Sequence, residues 1–179
     1  MKILIRFILI LIVPIAIVGC EKEPKFRIGQ EYGGGIVFYI DNSGKHGLIA
    51  APFDQGQAEW GCQTTKIEGA EGEEIGTGLQ NTLDILKGCS SENIAARICS
   101  ELVLNGYDDW FLPSKDELNQ LFMHKNKVGG FADDVTAPYW SSTEWEIYNA
   151  AWRQTFADYF EQTAYDKYNV YNVRAVRYF

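Results

Sequence analysis

The chain has 179 residues, 46% of them hydrophobic, with 24 acidic against 16 basic side chains and a formal net charge of −8. That length and apolar content are enough for a buried core in one domain of ordinary size, and they exclude a disordered chain. The acidic balance, with a pI near 4.8, argues against nucleic acid as a partner, because a polyanion binder presents a basic surface.

The N-terminus reads as an address. Lys2 and Arg6 precede the apolar run Phe7–Val18, which is too short to span a bilayer comfortably but suits the hydrophobic region of a signal peptide. It ends in Ile17-Val18-Gly19-Cys20, which resembles a bacterial lipobox. Residues 1–19 are therefore expected to be a lipoprotein signal peptide, with Cys20 the lipidated residue and 20–27 a solvated tether. The expected setting is the bacterial cell envelope, with the chain lipid-anchored at the outer membrane or cell surface.

The rest, 28–179, reads as one mixed domain. Gly35–Ile40 and Gly47–Ala51 flank Asp41-Asn42-Ser43-Gly44, the pattern of a β-hairpin. Residues 54–76 are polar and read as a long loop. A helix is expected from Thr77 to Lys87, with Gly88 just past its end, and a second over Ser91–Asn105, where Ile94, Ile98 and Leu102 make one stripe. Ser114 and Glu117 have capping-box spacing and open a third helix through Leu118, Leu121 and Phe122. From Tyr139 onward the pattern is of strands, at Tyr139–Thr143, Ala150–Phe156, Phe160–Tyr165 and Val170–Phe179. Trp140, Trp152, Phe156 and Phe179 are the expected core aromatics, and Arg174 and Arg177 the expected partners of Asp108 or Asp109.

Outside the cytoplasm a disulfide is allowed. Cys99 lies on the buried side of the second helix, so Cys62 and Cys89, which flank loop-like sequence, are the expected pair. With two histidines and no C-x-x-C, no metal site is expected, and no cofactor. The chain has no G-x-S-x-G, H-E-x-x-H or P-loop. The acid pairs Asp108/Asp109, Asp116/Glu117, Asp133/Asp134 and Glu144/Glu146 read as solvated turns or helix ends. His46 and His124 read as structural, and the expectation is that the protein is not an enzyme.

Several strings together resemble one family. They are Tyr32-Gly33-Gly34-Gly35-Ile36-Val37-Phe38-Tyr39-Ile40-Asp41, His46-Gly47-Leu48-Ile49-Ala50-Ala51, Asp109-Trp110-Phe111-Leu112-Pro113-Ser114-Lys115-Asp116-Glu117-Leu118, Tyr139-Trp140-Ser141-Ser142-Thr143, Trp152 with Phe156, and Val173-Arg174-Ala175-Val176-Arg177. The chain is similar over about 28–179 to the Lcl C-terminal domain family. That resemblance implies an α+β, C-type-lectin-like fold, with two to three helices packed on twisted antiparallel sheet and the termini close together. It also implies a surface lipoprotein, and it brings no catalytic residues.

Residues 139–179 hold 13 aromatic residues, seven of them Tyr. Once the core is supplied, Trp145, Tyr148, Tyr159, Phe160, Tyr165, Tyr168 and Tyr171 remain, set among Asp, Glu, Asn and Gln. Tyr beside Asn and Asp is the chemistry of adaptable recognition surfaces, so these seven are the expected ligand-binding residues. The expected function is a lipid-anchored recognition module, an adhesin or receptor, binding a glycan or protein ligand. The alternatives are an accessory subunit of an envelope complex or an enzyme of the formylglycine-generating type.

Overall fold

The computed structural model describes residues 25–147, 149–157 and 161–179. The signal sequence, Cys20 and most of the expected tether lie outside the described residues, as do Tyr148, Tyr159 and Phe160.

The chain folds into two sheets with short helices between them in sequence. β1 (Glu31–Tyr32), β2 (Gly35–Ile40), β3 (Gly47–Ala50) and β9 (Val176–Tyr178) form an antiparallel sheet in the order β1-β2-β3-β9. The β2–β3 hairpin turns where Asp41 Oδ1 accepts from the Ser43 backbone N–H (3.0 Å) and hydroxyl (2.6 Å), an Asx turn that closes the reversal. Gly35 has a steric reason to lack a side chain, since a Cβ there would run into the carbonyl of Ala50 on β3.

The second sheet contains β4 (Gln57–Ala58), β5 (Tyr139–Glu144), β6 (Ala150–Gln154), β7 (Gln162–Asp166) and β8 (Tyr171–Asn172), in the order β4-β8-β5-β6-β7. It is mixed rather than purely antiparallel, because β8 runs parallel to β5. The C-terminal run expected as one strand is two: β8 belongs to this sheet and β9 to the other. The buried residues Val173 to Ala175 carry the chain between them and tie the sheets through Ala51 N–H to Ala175 O (2.9 Å). A chain that must serve two sheets cannot stay in one ladder, and this is why the apolar and Arg residues there do not alternate cleanly.

The helices are α1 (Gly78–Gly88), α2 (Ala95–Ser100), α3 (Lys115–Met123) and α4 (Lys125–Val128). α2 is much shorter than the apolar stripe implies. Asn93 takes a positive φ, Ile94 pairs with Glu59 of the long loop, and the Ala95 N–H donates to Glu59 O (2.9 Å), so tertiary pairing takes the residues that would have made the first turns. At the other end Asn105 and Gly106 have positive φ and Leu104 and Tyr107 close a tight turn. Cys99 is buried on α2, and burial alone pushes its thiol pKa up.

α3 opens with the expected capping box: the Ser114 hydroxyl accepts from the Glu117 N–H, and the Glu117 carboxylate accepts from the Ser114 N–H (2.8 Å). Glu117 does more than its position in a first turn requires. It is fully buried and also accepts from the Gly76 N–H (2.9 Å) and the Tyr178 hydroxyl (3.3 Å), fixing the end of the long loop to α3 and β9. Burial raises its pKa against the pull of those donors.

Two arginines lock the sheet junction. Arg177 forms a two-pronged pair with Asp109 (2.5 and 2.8 Å), as expected, and its guanidinium lies 4.0 Å from the Tyr107 ring centroid. Arg174 departs from expectation: its partner is Asp54 (2.7 Å), not Asp108 or Asp109, and it donates to the carbonyls of Ala51, Gly129 and Gly130 as well. It is fully buried, so every one of its donors needs such a partner. Trp152 is another correction. It is only half-buried, on the sheet face toward α3, with the Lys115 ammonium 3.9 Å from its ring centroid, whereas Trp60, Trp110 and Trp140 fill the core. Phe179, also expected in the core, is half-buried at its edge.

Candidate recognition surface

Strand periodicity puts alternate residues of β6 and β7 on one side of the sheet. Arg153 sits opposite Thr163, and Ala151 opposite Tyr165, so Arg153 and Tyr165 are diagonal neighbours on one face. Tyr171 on β8 and Trp140 on β5 complete the row. The Arg153 guanidinium carbon is 4.3 Å from the Tyr165 ring centroid and 5.4 Å from that of Tyr171, and Tyr171 packs on Trp140 at 4.7 Å. Trp140 is buried and hydrogen-bonds Ala58 O through its indole N–H (3.0 Å), giving the row a fixed base.

Arg153 is held tightly in this stack. It is only 7% exposed, with one guanidinium nitrogen 3.6 Å from Glu161 Oε2. Its Nε has no hydrogen-bond partner among the described residues. Cation–π contact with two rings offsets part of the cost of burying the charge. Outermost, Tyr165 remains 47% exposed.

The second part of the surface is the crossover from β7 to β8. Lys167 anchors it from below. Its side chain is 0% exposed, forms an ion pair with Glu144 at the end of β5, donates to Thr65 O (2.9 Å) and lies 4.4 Å from the Trp60 ring centroid. Glu144 also accepts from the Ile67 N–H (3.0 and 3.2 Å to its two oxygens). Glu144 was expected to be a solvated turn residue; it is instead one half of a buried pair joining the long loop to the strands. Burial raises the Glu144 pKa and lowers that of Lys167, each toward its neutral form.

Gln63 clamps the same crossover from the side. Its amide donates toward Asp166 (3.5 Å) and accepts from the Tyr168 N–H (3.0 Å). The Lys167 backbone N–H donates to the Asn149 carbonyl (3.0 Å) as well. Gln63 directly follows Cys62, which is joined to Cys89 with Cα atoms 5.8 Å apart. Gly61 is needed beside that bridge: its φ is 107°, and a Cβ would meet Ile94 and lie 3.2 Å from Cys89 Sγ. With its backbone held, Tyr168 stays 56% exposed; Val170, two residues on, and Ile147 in the β5–β6 turn are exposed as well.

Of the seven aromatic residues expected at a ligand surface, the structure brings Tyr165 and Tyr171 into one stack and leaves Tyr168 exposed on the adjoining crossover. Trp145 is half-buried after β5, with its backbone N–H bonded to Ala150 O (3.0 Å). Tyr171 is half-buried, packed on Trp140, and supports the surface more than it presents it. Sequence reasoning missed Arg153, Gln63 and the Glu144–Lys167 pair. A signal was available, since Arg153 and Lys167 are the only basic residues between Ser141 and Asn172 in a stretch with five acidic ones.

Chemically, the surface combines ring faces, a guanidinium and carboxamide and carboxylate edges. Such groups can stack against C–H faces and exchange hydrogen bonds. Among the described residues, no group of three or more His, Cys, Asp or Glu is placed to hold a metal. Cavities of about 380 Å³ beside Tyr32 and Pro52, and of about 300 Å³ beside Tyr39 and Phe179, share no residue with it.

The architecture is thus an α+β domain whose second sheet carries a braced aromatic surface. Residues 55–177 match the Lcl C-terminal domain family, and the chain belongs to that family. The match spans the disulfide, the capping box and the whole aromatic stack. No curated protein is significantly similar to the chain.

Proposed function

We propose that this chain is a lipid-anchored recognition domain of the bacterial cell envelope, of C-type-lectin-like type, binding a glycan or protein ligand through the surface around Tyr165 and Tyr168. The observation that carries the reading is the unequal treatment of the rings. Tyr171, Arg153 and Trp140 are packed into a rigid stack, and the crossover backbone is clamped by a disulfide-linked loop and a buried ion pair. Yet Tyr165 and Tyr168 stay about half exposed. Folding alone gains little from such rings, whereas rigid exposed tyrosines supply contact area at small entropic cost. Family membership supports a surface-associated setting. Cys20 is the lipid attachment point in this reading. Binding is favoured over catalysis because the buried carboxylates Glu117 and Glu144 are both committed to structural hydrogen bonds.

The test is to probe an array of glycans and extracellular-matrix proteins with the detergent-solubilised full chain. Selective, saturable binding to one ligand class is expected. A blank array, together with stoichiometric co-purification of another envelope protein from native membranes, would favour an accessory subunit instead.

A further inference from the structure

The first described residues are not a loose tail. Phe26 is buried, with its ring centroid 4.6 Å from that of Phe179 and 4.9 Å from that of Tyr32. Tyr32 and Phe179 also meet at 5.5 Å, so three rings clamp the entering chain against the β1 end of the first sheet and the C-terminal residue. The next turn is tied down as well: the Gly29 N–H donates to Val37 O (2.8 Å) and the Val37 N–H to Gln30 O (2.9 Å). Gly29 lies against α4, where a Cβ would come 3.2 Å from Lys127 Cβ.

Only residues 21–25 separate Cys20 from Phe26. Six residue steps reach at most about 20 Å. A domain of this size has a radius of gyration of about 15 Å, hence a width of about 40 Å. The leash is therefore about half as long as the domain is wide. A lipidated Cys20 cannot let the domain turn over freely, and the face that carries Phe26 stays at the bilayer. That face gathers basic side chains in an acidic protein: Lys25, Arg27 and Lys127 are exposed there, against Glu31 and, in the hollow beside Asn126, Asp133.

We infer that the domain is apposed to the membrane through this face, with Lys25, Arg27 and Lys127 meeting the anionic headgroups of phospholipids, and with the recognition surface held away from the bilayer. The inference rests on the reading of Cys20 as the lipid attachment point. The β5–β6 turn supplies the far reference. β5 begins at Tyr139, which packs on Phe131 just beyond α4 (5.5 Å between centroids), and runs six residues to Glu144. At about 3.3 Å per residue, the turn bearing Ile147 lies roughly 20 Å from that end.

The acylated full chain is reconstituted in vesicles of phosphatidylethanolamine and phosphatidylglycerol containing a headgroup-linked acceptor dye. Single donor labels are placed by Asn126→Cys beside Lys127, or by Ile147→Cys at the turn. Energy transfer is expected to be at least about twofold greater from position 126, given the width of the domain. Inserting a long Gly-Ser segment after Lys22, combined with Lys25→Glu and Lys127→Glu, is expected to abolish the difference. Equal transfer from both positions on a chain shown by mass to be acylated would overturn the apposition and leave the anchor standing. A chain that is unprocessed at Cys20 or stays in solution would overturn the anchor and the apposition with it.

Discussion

Replacing Lys167 by Met keeps the volume of the stem but removes the ammonium that is ion-paired with Glu144. The Glu144 carboxylate is then buried with the Ile67 N–H as its remaining donor, and Thr65 O loses its bond. Breaking one side of a buried ion pair costs about 3–5 kcal/mol. The loss should depend on pH. Without the ammonium, the folded-state pKa of Glu144 rises further above its unfolded value. A raised acid contributes stability at low pH that is lost as the pH climbs through the folded pKa, at about 1.4 kcal/mol per unit of separation. Urea unfolding should therefore show Lys167→Met losing more stability at about pH 8 than at about pH 5. Adding Glu144→Gln removes the stranded charge while keeping an acceptor for Ile67, and should recover about 1–3 kcal/mol at the higher pH. If Lys167→Met costs under about 1 kcal/mol, or if the double variant is no more stable than the single one, the pair does not brace the crossover as described.

Other expectations follow from the same contacts. Tyr171→Ala should cost about 2–4 kcal/mol by thermal unfolding, because it leaves a gap on Trp140, whereas Tyr168→Ala should stay within about 1 kcal/mol. Peptide mapping without reductant should recover Cys62 linked to Cys89, and Cys99 should resist alkylation until the chain is unfolded; the double Cys→Ser variant should lose about 3.5 kcal/mol in the chain-entropy account of a 27-residue separation. Arg177 holds the Asp109 carboxyl below its usual pKa. Stability from that pair is present above the unfolded value near 3.9 and is lost as the pH falls through the folded one. Asp109→Asn should therefore remove part of the acid-induced fall in melting temperature.

Local chemistry was the most readable part of the sequence. The Asp41–Gly44 turn and the Ser114–Glu117 box each depend on residues whose side chains act within their own segment, and the Cys62–Cys89 pair was legible because Cys99 falls on a helix. Tertiary competition was harder to read. Nothing in the stripe Ile94–Leu102 shows that Glu59 pairs with Ile94, and Val170–Phe179 shows its division between two sheets only as a broken alternation. The aromatic surface was legible as composition, from Tyr among Asn and Asp, but not as geometry. Which ring braces and which is presented is decided by Trp140 and Arg153, and those enter through strand pairing. Glu144 looked like an ordinary surface charge because burial is a property of the folded chain.

The central claim is that Tyr165 and Tyr168 form the ligand contact. It is tested most directly by measuring binding of Tyr165→Ala/Tyr168→Ala to the ligand class selected on the array, beside a control, Phe53→Ala/Val103→Ala, that removes exposed apolar groups outside this surface. The account predicts at least about a thirtyfold loss of affinity for the tyrosine variant, the scale of two contact residues worth over 1 kcal/mol each. It predicts unchanged binding for the control and similar melting temperatures for both. Undiminished binding by the tyrosine variant would contradict the account and place the ligand elsewhere on the domain.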